Sequence, residues 1–167
     1  MNPTGKWAAI VGIVALTAVL ASCTSTDPES EAMMDLQTAK GIAVAMADEA
    51  AALVPAQNVG DQSQFTTAHL MGCSAGGYTW SGLTTLTLIG EVNGEELIEA
   101  IASAWEQKPG VTVERKAVRA GTLRVDMIAT QGDSYSAGVW DSGKTLKIDS
   151  FSPCFEMEDG LKPGMEY

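Results

Sequence analysis

Apolar residues along the chain fall into separate patterns, each with its own period. Leu36, Ala39, Ala43, Met46, Ala50 and Leu53 recur at alternating steps of three and four, lining one face of a helix, while Asp35, Thr38, Asp48 and Glu49 keep to the other. Asp27 followed by Pro28 reads as an N-cap with proline at the first helical position, so the helix is expected to start there. Pro55 closes it by removing an amide and restricting Val54. Gly41, in mid-helix, costs about 1 kcal/mol against alanine and suggests close packing. Residues 56–77 are polar and loop-like, with at most a short extended piece around 65–70. From Tyr78 the period becomes two: Tyr78, Trp80, Gly82, Thr84, Leu86 and Leu88 share one face of a long strand. Asn93, with Glu96 three residues on, has the form of a capping box ahead of the stripe Leu97, Ile98, Ile101, Ala104 and Trp105.

Four further strands are predicted over 111–118, 122–130, 134–140 and 145–150, each bounded by a turn signal such as Gln131-Gly132-Asp133. Short links make neighbours antiparallel. Val111, Val113, Leu123, Val125, Met127, Ala129, Leu146 and Ile148 would point inward, leaving Thr112, Glu114, Lys116, Arg124, Asp126 and Lys147 on a wet face. The expected architecture is therefore α+β: a two-layer sandwich in the order α-β-α-β-β-β-β, with a mostly antiparallel sheet of about five strands and two helices on one face. Cys73 precedes the first strand and Cys154 follows the last, so a bond between them requires those strands to lie side by side.

The chain also carries a leader pattern. Lys6 is followed by an apolar run over 7–20, which at about 14 residues is short of the roughly 20 needed to span hydrocarbon and suits a signal-peptide core. Leu20-Ala21-Ser22-Cys23 resembles the bacterial lipobox, in which the cysteine after the cleaved bond carries a thioether-linked diacylglycerol. Residues 1–22 are thus expected to be a lipoprotein signal peptide and 23–30 the lipidated cysteine with a polar tether. The α+β domain would span 31–155, and 156–167 would form a loose acidic tail. Acyl chains at about 0.8 kcal/mol per buried methylene would hold Cys23 on the cell membrane, with the domain on the extracytoplasmic side. Lipidation of Cys23 leaves two cysteines, and an oxidising compartment makes Cys73–Cys154 a disulfide.

Charge narrows the partners. With 21 acidic and 10 basic residues, a net charge of −11 and no basic cluster, the chain is unsuited to nucleic acid, whose binding rests on neutralising phosphates. A single histidine and no Cys-x-x-Cys pair give no metal site, and no cofactor is expected. Gly72-Cys73-Ser74-Ala75-Gly76 matches the letters of the G-x-S-x-G nucleophile elbow, but a strand follows it where a helix is needed, and the only histidine, His69, precedes it. His69 reads as a surface residue. The acids of 95–99 suit a helix start, and 141–144 reads as a hairpin turn and not a phosphate loop. Trp80 and Trp105 fall in apolar stripes and belong to the core. Trp140, at a strand end and in phase with the polar face, is the leading candidate binding residue, with Tyr135 second.

The lipobox Cys23, Trp105 near a helix end before Val111, and the closing Ser152-Pro153-Cys154 together resemble the small secreted lipoproteins of actinobacteria. That resemblance implies an α+β domain pairing a mid-chain cysteine with a late Ser-Pro-Cys, on the outer face of the plasma membrane or in the cell-wall zone. It brings no catalytic set. The expected role is a non-enzymatic, membrane-anchored envelope protein that binds another protein or an envelope component through its open sheet face. The alternative is a carrier or sensor of a small amphipathic ligand, held in a cavity between helices and sheet beside Met33, Met34, Met46 and Leu86. A secreted hydrolase ranks third.

Overall fold

The computed structural model describes residues 34–74, 76–118, 123–162 and 164–167. The expected signal peptide, lipidated Cys23 and tether lie outside the described residues, as do Asp27 and Pro28. Helix α1 spans Leu36–Ala51, and a 3-10 turn follows at Ala56–Asn58. Strand β1 is Val59–Phe65, β2 Met71–Gly72, β3 Tyr78–Thr79 and β4 Ser81–Leu88. Helix α2 is Gly94–Glu106, and the chain continues through β5 (Val111–Ala117), β6 (Leu123–Ala129), β7 (Ser134–Trp140) and β8 (Thr145–Phe151). Six strands form one antiparallel sheet in the order β1-β4-β8-β7-β6-β5, and β2 and β3 form a separate hairpin.

The expected α+β sandwich is present. Helix α1 packs over β4 and β8, and α2 over β5, β6 and β7, so both helices cover one face of the sheet. Leu86, Ile98, Ile101, Trp105, Val125, Met127, Leu146 and Ile148 are fully buried between the layers. The strand expected from Tyr78, which enters the main sheet as β4, lies beside the last strand as a bond between the cysteines requires: β4 pairs with β8 from Ser81↔Phe151 to Thr87↔Thr145. Cys73 and Cys154 are bonded, with Cα atoms 6.3 Å apart.

Several expectations are corrected. Helix α1 begins at Leu36 with Asp35 as N-cap, whose carboxylate accepts from the Thr38 amide at 2.6 Å; Asp27 does not cap it. The Leu36 amide, another that a helix start leaves unpaired, donates to Glu158 Oε1 at 2.9 Å, so a tail carboxylate sits on the positive end of the helix. Described residues of 156–167, expected to form a loose tail, pack against the domain. Phe155 is buried, Met157, Leu161 and Tyr167 pack with it around Trp80, Leu36, Ala39 and Ala43, and Ala68 and Tyr167 exchange two backbone hydrogen bonds of 3.0 Å. This second cluster closes the end of the sandwich.

The supposed loop over 56–77 contains the edge strand β1 and the β2–β3 hairpin. The long strand expected from Tyr78 is interrupted at Trp80, where β3 leaves the hairpin and β4 enters the main sheet. Gly41 is exposed, and a Cβ there would meet nothing within 4 Å. No packing demands glycine at this site, so Gly41→Ala is expected to raise stability by about 0.5–1 kcal/mol in a denaturant titration.

Candidate functional site

The sheet face away from the helices presents outward side chains in rungs fixed by strand register. On β7 those side chains are Ser134, Ser136, Gly138 and Trp140. The first three are small, so β7 forms the floor of a groove walled by β6 and β8. One part of it has a volume of about 510 Å³ and is lined by Arg124, Asp126, Ile128, Tyr135, Asp149 and Phe151 around Ser134 and Ser136. It continues past Gly132 and Phe151 into a recess of about 380 Å³ beside Cys73, Ser74 and Cys154. At the other end Trp140, 41% exposed, turns back along the strand so that its Nε1 edge lies over Gly138 and near the Arg124 stem.

Along the groove the rungs differ in chemistry. Lys116, Arg124, Gly138 and Lys147 stand opposite one another across β5, β6, β7 and β8. One step along, Glu114, Asp126, Ser136 and Asp149 do the same, and beyond them come Thr112, Ile128, Ser134 and Phe151. The face therefore runs from an indole through a cationic and an acidic rung to an apolar one, with steps of about 7 Å.

The two walls are electrostatically unequal. On the β5–β6 side, Asp126 pairs with Lys116 at 2.7 Å and with Arg124 at 2.9 Å, and Lys116 also reaches Glu114 at 3.1 Å. Burial works to raise the Asp126 pKa, but hydrogen bonds from Lys116, Ser136 and Arg124 outweigh it and hold the carboxyl below its ordinary range. On the β8 side, Lys147 and Asp149 make no ion pair among the described residues. Asp149 reaches solvent, yet desolvation by the groove pushes its carboxyl above the ordinary value, only partly offset by Lys147 and Arg124.

An acid with a raised native pKa binds more protons folded than unfolded, so its ionisation costs stability as pH rises from the ordinary carboxyl value through the raised one. Asp149→Asn is therefore expected to raise the melting temperature of dilute protein at neutral pH. The gain should vanish in acid, below the ordinary carboxyl pKa.

The other singled-out residues fall elsewhere. Tyr135 is among the residues that line the groove, but its side chain leaves the outer face. One residue out of phase with Trp140, its side chain points into the interlayer, 2% exposed, and its hydroxyl donates to the buried Asp133 at 2.8 Å. Burial and the Asp133 carboxylate push that phenol well above its usual range. Trp80 and Trp105 are fully buried, as their stripes implied. Ser74 sits in the β2–β3 hairpin, where the Cys73 amide donates to the Gly77 carbonyl and no helix follows. His69 lies 3.5 Å from Glu166, both exposed. A further cleft of about 730 Å³, by Gly90–Asn93 and the Ser142–Lys144 turn, is edged by Glu91 and Glu96. Of the residues proposed to line a lipophilic cavity, Met33 lies outside the described residues, and Met34, Met46 and Leu86 line none of these three concavities. Among the described residues no helix is long and apolar enough to cross a membrane, and no cluster of potential ligands could hold a metal.

No family model matches the chain, and no curated protein does. Among solved structures it is similar to that of a DUF4853 family protein from Actinomyces odontolyticus ATCC 17982, at 18% sequence identity and a TM-score of 0.46, covering 76% of this chain and 73% of that one.

The groove itself was partly written in the sequence. Ser134, Ser136 and Gly138, small residues two apart, mark a floor once Trp140 is placed on the outer face. The alternation of charged rungs depends on the register of four strands, which no single strand encodes.

Proposed function

We propose that the protein is an envelope lipoprotein, held on the outer face of the cell membrane through a lipidated Cys23, that works by binding a protein partner along its outer sheet face and not by catalysis. The leader pattern and lipobox letters support the anchoring. The binding reading rests above all on the outer face, where Trp140 and Ile128 beside the groove, and Phe65 on the edge strand β1, stand 41%, 44% and 64% exposed with no helix covering them. Large apolar side chains grouped on one face, beside charged groups fixed by register, are the composition of an interaction surface. His69 lies against Glu166 and Ser74 sits in the β2–β3 hairpin with no helix after it, an arrangement unlike a hydrolytic set, which favours the non-enzymatic reading.

The test immobilises the full chain in mild detergent and passes envelope extract over it. A partner should be retained by the native protein and lost on Trp140→Ala; retention indifferent to that change counts against the outer face as the binding surface. Mass spectrometry of the same unreduced preparation should find diacylglycerol on Cys23. A leader still attached would remove the anchor from the proposal.

A further inference from the structure

The order of rungs on the outer face is self-complementary. Reading along β7, it runs Trp140; then Lys116, Arg124 and Lys147; then Glu114, Asp126 and Asp149; then Ile128 and Phe151 flanking Ser134. A twofold axis lying parallel to the rungs, midway between the cationic and the acidic one, exchanges the first rung with the fourth and the second with the third. We propose that a second copy of this chain occupies the groove, forming a face-to-face dimer about that axis. The inference rests on the reading of the outer face as a protein-binding surface and names the partner.

In such a dimer each strand lies over its own copy, running the opposite way, as in an aligned packing of two sheets about 10 Å apart. Lys147 then faces Asp149 of the second copy, Arg124 faces Asp126, and Lys116 faces Glu114. The Trp140 indole, whose Nε1 edge lies over Gly138, comes down over Ser136 of the second copy and towards its Ser134, where the recess of about 510 Å³ lies. The small floor residues leave room for that indole, and the symmetry supplies it from both sides. Lys147 and Asp149, without an ion pair among the described residues of one chain, each gain an opposite charge.

Net charge points the same way. At −11 overall, two copies repel one another at most orientations. The helix side carries Asp48, Glu49, Glu95, Glu96, Glu99 and Glu106, of which Lys108 pairs with Glu49 and Arg115 with Glu99 and Glu106, leaving an acidic excess, whereas the six charges of the two central rungs balance. The outer face is thus where like chains can approach without facing acid with acid. Six strands at about 4.8 Å spacing and seven residues at about 3.4 Å rise give a footprint of roughly 700 Å² before side-chain relief, close to the ~800 Å² per partner of a standard interface. A twofold contact of this kind closes on itself and forms no filament.

The test is sedimentation velocity of the full chain in density-matched detergent, over a wide concentration range. The native protein should sediment as a dimer. Lys147→Asp and Asp149→Lys alone set like charges opposite one another and should each weaken association at least about tenfold; combined in one chain they restore opposite charges across the axis and should restore the dimer. The lipid anchor is unchanged in all four proteins, so shared micelles cannot imitate the rescue. Trp140→Ala should also weaken the dimer at least about tenfold. A native chain that stays monomeric, or a dimer that ignores both single reversals, overturns the pairing. If such a monomer still retains a Trp140-dependent partner from extract, the outer face binds a different protein and the broader reading stands; if it retains none, both fall.

Discussion

Replacing Trp80 by alanine is expected to lower stability by about 3–5 kcal/mol, the range for deleting a large aromatic from a packed site. For a domain whose whole stability is of the order of 5–15 kcal/mol, that is about a fifth of the total or more. The position justifies the upper part of the range. Trp80 is fully buried at the centre of the second cluster, touching the first turns of α1 on one side and Phe155 and the tail on the other. Its Nε1 donates to the Tyr167 carbonyl at 2.8 Å, and its amide donates to Ser152 Oγ at 3.0 Å. Its ring lies so close over Gly82 that a Cβ there would meet the indole at 2.7 Å. Truncation therefore leaves a large void, an unpaired carbonyl and an uncovered glycine on β4, and it frees the tail from what it packs on. Equilibrium urea unfolding measures the loss. Limited proteolysis should show cleavage near Lys162 in the variant under conditions where the native tail resists. A variant that loses less than about 1 kcal/mol, as surface substitutions do, would mean that the second cluster carries little of the fold.

This cluster also explains what the sequence left unread. Helix α2, the four last strands and the pairing of β4 with β8 were legible because each buries a periodic apolar face against a neighbour. Strand β1 was not, since Val-Gly-Asp-Gln-Ser-Gln-Phe pairs on one side only, is interrupted by a bulge at Gly60, and turns inward Gln64, which bonds Thr84 and Asp48 instead of entering the apolar core. The tail was read as loose for a related reason. Met157, Leu161 and Tyr167 have no common period; they dock one by one onto Trp80 and the start of α1, through contacts that only the assembled fold brings together. Tyr135 could have been placed correctly, because odd and even positions of a strand point to opposite faces and Trp140 had already been assigned to the wet one. The groove floor shared that phase and the same rule would have shown it. The balance of charges across the face needed the register of neighbouring strands as well.

Breaking the disulfide is expected to cost about as much as removing Trp80, by a different route. Cys73 and Cys154 are 81 residues apart, and closing a loop of that length removes unfolded-state entropy equivalent to roughly 4–5 kcal/mol in the chain-entropy model. A Cys73→Ser, Cys154→Ser double variant should therefore unfold at much lower urea, with the native arrangement of β4 beside β8 retained, because seven residue pairs hold those strands independently of the sulfurs. The bond also fixes the end of the groove: the recess beside Gly132, Ser134 and Phe151 is walled by both cysteines and Ser74. The hairpin that carries Cys73 is otherwise tied to the segment after β8 by the reciprocal backbone bonds of Tyr78 and Phe155, 2.9 Å each, and by the Thr79 hydroxyl on the Ser152 carbonyl at 2.8 Å. These contacts stay available in the double variant, so the loss should appear chiefly as a destabilised whole and less as a separately mobile hairpin. Hydrogen exchange distinguishes the two. Uniformly faster exchange across the core amides of β4, β7 and β8 is the expected result; acceleration confined to residues 71–79 would show that the bond serves only to pin the hairpin at the mouth of the groove.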